Sequence, residues 1–163
     1  MIALYIAETR PFMASLLTGN IFDRLLLREG QITTFCTYSI DGNYHASYMD
    51  DDSEDPSPVY ASWEMLKPHI YDMIKGKHTP LGFKFVFQLS SNASNKLLTE
   101  NGLAQDFESL NALFLNIRFD GKRIMLTTGS SQKAFPANKN IDHAWDQYIY
   151  KFLKANHFEY DAQ

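Results

Sequence analysis

Residues 113–128 read LFLNIRFDGKRIMLTT, and this stretch decides the fold class. Leu115, Ile117 and Phe119 recur at every second position, as do Ile124 and Leu126, so each run turns one apolar face to a core. Asp120-Gly121 between them supplies the positive φ that a tight primed turn demands, and the whole reads as a β-hairpin. With a two-residue turn, Phe119 faces Lys122 and Arg118 lies directly opposite Arg123. Like charges in that position destabilise a sheet unless an anion or a carboxylate sits between them, and guanidinium forks suit both. The plainer reading is that the two side chains splay into water or pair with a nearby acid.

Upstream, residues 32–48 read ITTFCTYSIDGNYHASY and carry the same Asp-Gly pair at Asp41-Gly42. A first hairpin is expected there, Ile32–Ile40 against Asn43–Tyr48. Strands are also expected at Ile2–Ile6, Phe22–Arg28 and Phe83–Leu89, the last from Phe83, Phe85, Phe87 and Leu89 alternating with Lys84, Val86 and Gln88. The spacing predicts helices from Thr9 to a stop at Gly19, over about Ser62–Lys75, over Ser91–Asn101, and after Asn138 or Asn140. Pro68 either opens the second of these or kinks it. The last helix has a stripe of Ile141, Trp145, Tyr148, Ile149 and Phe152, with Asp142 and Asp146 early and Lys151 and Lys154 late, as the helix dipole favours.

Both halves thus run strand, helix, strands closed by an Asp-Gly hairpin, then a Trp-bearing helix, with Trp63 and Trp145 in matching places. The reading is one α+β domain over residues 1–163, internally duplicated, with pseudo-repeat halves of about 1–78 and 79–163. Its antiparallel sheet carries helices packed on one face.

Composition agrees with a packed domain. The 163 residues are 45% hydrophobic and 21% charged, and 12 Phe, 9 Tyr and 2 Trp supply large buriable surfaces. Residues 1–60 hold three arginines against nine carboxylates, whereas residues 61–163 hold twelve bases against ten acids, so the net charge of −4 is unevenly spread. This is far from the basic footprint of a dedicated nucleic-acid binder. The lone Cys36 forbids an intrachain disulfide and suits a reducing compartment; without a signal peptide or an apolar run long enough to span a bilayer, the expected location is the cytoplasm, away from membrane.

Thr33-Thr34-Phe35, Tyr38-Ser39-Ile40-Asp41-Gly42, Thr79-Pro80-Leu81-Gly82-Phe83-Lys84, Leu113 to Gly121, Thr127-Thr128-Gly129-Ser130-Ser131 and His143-Ala144-Trp145-Asp146 together resemble a family of uncharacterised small proteins of anaerobic gut bacteria of the Clostridia. The resemblance spans nearly the whole chain and implies no catalytic residues. At the level of fold alone, the doubled plan is similar to the sliding-clamp domain and to the TATA-binding-protein saddle.

Five candidate features remain. Arg118, Arg123, Lys84 and Lys133, with Ser130 and Ser131, are the candidate anion or nucleic-acid contacts, and Thr127–Ser131 with Lys133 offers hydroxyls, a glycine and a base for an anion-holding loop. It lacks the phosphate-loop spacing, so an ordinary turn is the simpler reading. The Asp41-Gly42 register places Tyr38 opposite His45 and Cys36 opposite Ser47, making Cys36 and His45 diagonal neighbours; a thiol and an imidazole can form a nucleophile, although a lone Cys is more often a small buried hydrophobe. The acidic run at positions 50–55 lacks the calcium-loop pattern and reads as a solvated loop. His45, His69, His78, His143 and His157 have no metal-ligand spacing, and neither a metal nor another cofactor is expected.

The expected function is that of a non-enzymatic binding or interaction module for a macromolecular partner or a small anionic ligand. One alternative is DNA association through a clamp-like or saddle-like sheet, with Lys84, Arg118, Arg123 and Lys133 on phosphates. A second is a small enzyme built on Cys36 and His45.

Overall fold

A computed structural model describes residues 1–49 and 58–162, so the acidic run at 50–55 lies outside the described residues. The chain runs β1 (Ala3–Ile6), α1 (Thr9–Leu17), β2 (Leu26–Thr33), β3 (Thr37–Asp41), α2 (Trp63–Ile74), β4 (Gly82–Gln88), α3 (Ser91–Glu100), β5 (Leu110–Phe119), β6 (Ile124–Gln132), α4 (Lys139–Ala155) and β7 (Tyr160–Ala162). All seven strands join one antiparallel sheet in the order β3-β2-β4-β5-β6-β1-β7. This is the expected α+β class. Element types do recur as β-α-β-β-α, but β4 pairs with β5 of its own half whereas β1 pairs with β6 of the other, so the pairing does not confirm an internal duplication.

Alternation decides which face the helices cover. Phe83, Phe85 and Phe87 of β4, Leu113, Leu115, Ile117 and Phe119 of β5, and Ile124 and Leu126 of β6 are all buried, with Leu4 and Ile6 of β1. Trp63 opens α2 and packs its fully buried ring against Phe85 and Phe87, each with a centroid separation of 5.0 Å. Its indole N–H donates to the Leu16 carbonyl at 2.7 Å, which satisfies a carbonyl in the last turn of α1 that has no intrahelical partner. Phe22 joins Phe12, Phe87 and Phe152 in an aromatic cluster that ties α1 and α4 to the sheet. Lys67 of α2 donates to Asp23 Oδ1 and to the Gly19 carbonyl, both at 2.5 Å, and pins the connection between α1 and β2. Ser62 caps α2; the helix begins at Trp63, close to the expected start, and contains Pro68, so the proline lies inside the helix and not at its start. No described helix is long and apolar enough to cross a membrane.

The first half departs from expectation in two places. Phe22–Arg28 is not a strand: residues 21–25 turn, and the strand runs Leu26–Thr33, because Phe22 is drawn into the aromatic cluster. Ile32–Ile40 is likewise not one strand, since the hairpin turns at Thr34-Phe35-Cys36, with Thr33 paired to Thr37 and Ile32 to Tyr38. Asp41-Gly42 is therefore no turn, and Asn43–Tyr48 is not its return strand; Asn43 instead makes a single bridge to Tyr60. Gly42 serves close approach. A Cβ there would lie 1.6 Å from the Leu27 carbonyl oxygen, while its own N–H donates to the Arg28 carbonyl at 3.1 Å and its carbonyl accepts from the Ala61 N–H at 2.8 Å.

The second hairpin forms where expected, but its turn holds four residues, 120–123, with Phe119 paired to Ile124. Gly121 has φ +96°, which explains the glycine. Asp120 Oδ1 accepts from the N–H groups of Lys122 (2.9 Å) and Arg123 (2.8 Å), so the carboxylate closes the loop that two residues alone were expected to close. The register consequently moves: Arg118 lies opposite Met125, and the expected Arg118–Arg123 pair is not formed.

Candidate functional site

With the helices on one face of the sheet, the other carries the alternate side chains. Reading across strands by register, one row runs Ser39, Gln31, Lys84, Arg118, Met125 and Tyr5. The next runs Asp41, Glu29, Val86, Asn116, Thr127 and Ala3. Lys84 and Arg118, both exposed, are thus directly opposite one another on neighbouring strands β4 and β5. In place of the expected Arg118–Arg123 pair, a like-charge pair forms between residues 34 positions apart in the chain. Glu29 and Asp41 form a facing acidic pair nearer the sheet edge.

A register shift between Leu27 and Glu29 adds a third cation. The bulge leaves Arg28 and Glu29 both exposed, and the Arg28 guanidinium lies over the rings of Phe114 (5.2 Å) and Tyr60 (5.7 Å). Two hollows meet there. One of about 560 Å³ is bounded by Arg28, Glu29, Gln31, Asp41, Tyr60 and Lys84. The other, of about 360 Å³, is bounded by Arg28, Lys84, Val86, Phe114, Asn116 and Thr127. Arg28, Glu29 and Lys84 are common to both. Asn116 Nδ2 donates to Thr127 Oγ1 at 3.2 Å, leaving its amide oxygen and second N–H on this face. Among the described residues, no ion pair within 4.0 Å engages Arg28, Lys84 or Arg118.

The other candidates separate. Arg123 sits in the turn with its guanidinium 4.4 Å from the Tyr5 ring centroid, at the end of the same face. The backbone N–H groups of Arg123 and then Lys122 hold the Asp120 carboxyl below its usual range. Thr127–Ser131 is not an anion-holding loop, because all five residues belong to β6 and its ladder. Ser130 donates to Asp142 on the helical side, and Ser131 accepts from Asn111. Lys133 follows β6 at the far end from Arg123, about 30 Å away for an extended strand of that length, so it does not join Lys84 and Arg118, whereas Ser130 borders the second hollow together with Lys84.

Cys36 and His45 are not diagonal neighbours, because the register that would have paired them does not form. Cys36 is exposed in the turn before β3, and His45 follows the far end of β3. The hydrogen bond between the Tyr38 hydroxyl and Cys36 instead raises the Tyr38 pKa above its usual value. Arg28, Glu29 and Asn116 were missed as site residues. The signal for the first two is the break in alternation in Leu27-Arg28-Glu29-Gly30, where two charged residues stand side by side between buried positions.

A family of unknown function (DUF5721) has a model that matches residues 15–161 of this chain. No curated protein and no solved structure matches it.

Proposed function

The chain belongs to this family of unknown function, and we propose that it is a non-enzymatic binding module whose helix-free sheet face takes up an anionic group of a partner molecule. The observation that carries this reading is the direct opposition of Lys84 and Arg118, neither ion-paired within 4.0 Å among the described residues, beside the aromatic-backed Arg28. Facing cations cost stability, and an anion between them turns that cost into attraction. The two hollows give such a group walls as well as charge. Glu29 and Asp41 on the same face favour a discrete anion, such as a carboxylate or phosphate on a protein or small ligand, over the continuous charge of a nucleic-acid backbone. The exposed lone thiol of Cys36 favours a reducing compartment, the cytoplasm, for this module.

The test is fluorescence anisotropy with a labelled glutamate-rich peptide and with labelled single- and double-stranded DNA, at several salt concentrations. The proposal expects the peptide to bind, to weaken with salt, and to be lost in the Lys84→Gln, Arg118→Gln double variant. Peptide binding that survives the double variant sinks it. DNA binding with a steep salt slope that the same variant abolishes would move the reading to the saddle-like alternative.

A further inference from the structure

A third cavity lies on the opposite, helical side and contains none of the candidate site residues considered so far. It is a cleft of about 590 Å³ between the α1–β2 connection, α3 and α4, within the size range of small-molecule sites. Its floor is apolar: Leu89, Leu97, Leu115, Trp145 and Ile149 line it and are all buried. The floor is also fixed. The Trp145 indole N–H donates to the Phe114 carbonyl at 2.8 Å, and Tyr148 stacks on the indole at 5.4 Å with an interplanar angle of 16°. A rigid, preformed apolar surface lowers the ordering cost of binding.

Charge enters only at the rim. Arg24, exposed beside the cleft, has no carboxylate within 4.0 Å among the described residues, because its neighbour Asp23 is taken by Lys67. Lys96 lies at the limit of pairing with Glu100, at 3.9 Å. Two cations against one acid leave the mouth net positive above an apolar floor. We propose that this cleft binds a small organic acid with an apolar body, its hydrocarbon or aromatic part on Trp145 and Ile149 and its carboxylate on Arg24 and Lys96. The arrangement separates the two halves of such a molecule as the cleft separates floor from rim. Sequence alone conceals the site because its parts come from four distant segments, and because Trp145 reads as core, which it also is.

The experiment uses 8-anilinonaphthalene-1-sulfonate, an aromatic anion, and its uncharged relative N-phenyl-1-naphthylamine as fluorescent probes of the folded chain, with near-ultraviolet circular dichroism confirming native packing in each variant. Both probes are expected to bind, and octanoate should displace them where octanol at the same concentration does not. Arg24→Ala should weaken the anionic probe by about tenfold, the size of one charged hydrogen bond, while leaving the neutral probe unchanged. Ala93→Phe, which places a ring in the cleft, should exclude both. Equal displacement by octanol, equal loss of both probes in Arg24→Ala, or unchanged binding in a natively packed Ala93→Phe would each overturn the assignment. The Lys84→Gln, Arg118→Gln variant should bind both probes normally, so this site and the sheet-face reading fail separately.

Discussion

Arg118→Gln should make the folded protein more stable while weakening its hold on anions. Directly opposite residues on adjacent strands place their charged heads about 6 Å apart, and two cations at that separation in water repel by about 0.7 kcal/mol. Arg118 is the cleaner member of the pair to remove, because Lys84 has Glu29 diagonally across β2 to offset part of its charge. For a chain of this length a gain of that size corresponds to about 2 °C in Tm. The repulsion is exposed, so about 1 M salt, with a screening length near 3 Å, should reduce the gain to about 0.1 kcal/mol, whereas about 0.01 M salt should preserve most of it. Urea unfolding followed by far-ultraviolet circular dichroism at the two salt concentrations measures both terms. A double-mutant cycle with Lys84→Gln isolates the pair, since removing the second cation should add nothing from their mutual repulsion. Destabilisation by Arg118→Gln at low salt, or a gain indifferent to salt, would refute the opposition of charges from which the function is argued.

Three further outcomes follow from the fold. Gly42→Ala should destabilise by about 2–4 kcal/mol in urea unfolding, because its Cβ would meet backbone at the Leu27 carbonyl, which no rotamer change relieves; a neutral effect would place β3 elsewhere. Trp63→Ala should cost about 3–5 kcal/mol through lost packing on Phe85 and Phe87, and Trp63→Phe less, the latter exposing the loss of the bond to Leu16. Asp120 has a folded-state pKa below its unfolded one, so its contribution is present above the unfolded value near pH 3.8 and is lost as pH falls through the folded value. Acid unfolding of Asp120→Asn should accordingly lack that portion of the wild-type pH dependence, and identical acid profiles would show that the turn carboxylate contributes nothing.

What the sequence made legible was periodicity. The alternation of Phe83, Phe85 and Phe87 named a buried face correctly, since burial acts on every second or every third and fourth residue whatever the partner strand. Of the expected stripe, Ile141, Trp145 and Ile149 are buried, whereas Phe152 is half-buried and Tyr148 is exposed. Partners were another matter. Asp-Gly marks positive φ at Gly121 but does not say whether two or four residues close the turn, and the difference moved the β6 partner of Arg118 from Arg123 to Met125, while Lys84 faces it from the other side on β4. At Gly42 the same dipeptide answers a different need, a backbone path that would leave a Cβ only 1.6 Å from the Leu27 carbonyl oxygen of β2. Lys84 and Arg118 share the open face because strand alternation puts them there. Ser131 and Lys133 do not join them, having been grouped by nearness in the chain along a strand that carries them away.

The most direct measurement is a ¹H–¹⁵N NMR titration of the labelled protein with inorganic tripolyphosphate, following backbone amides and arginine Nε–H groups. The account predicts saturable shifts centred on Lys84, Arg118 and the Arg28 side chain, with the amides of α2 and α4 unmoved. Shifts confined to the helical side, or none at low salt, would contradict it.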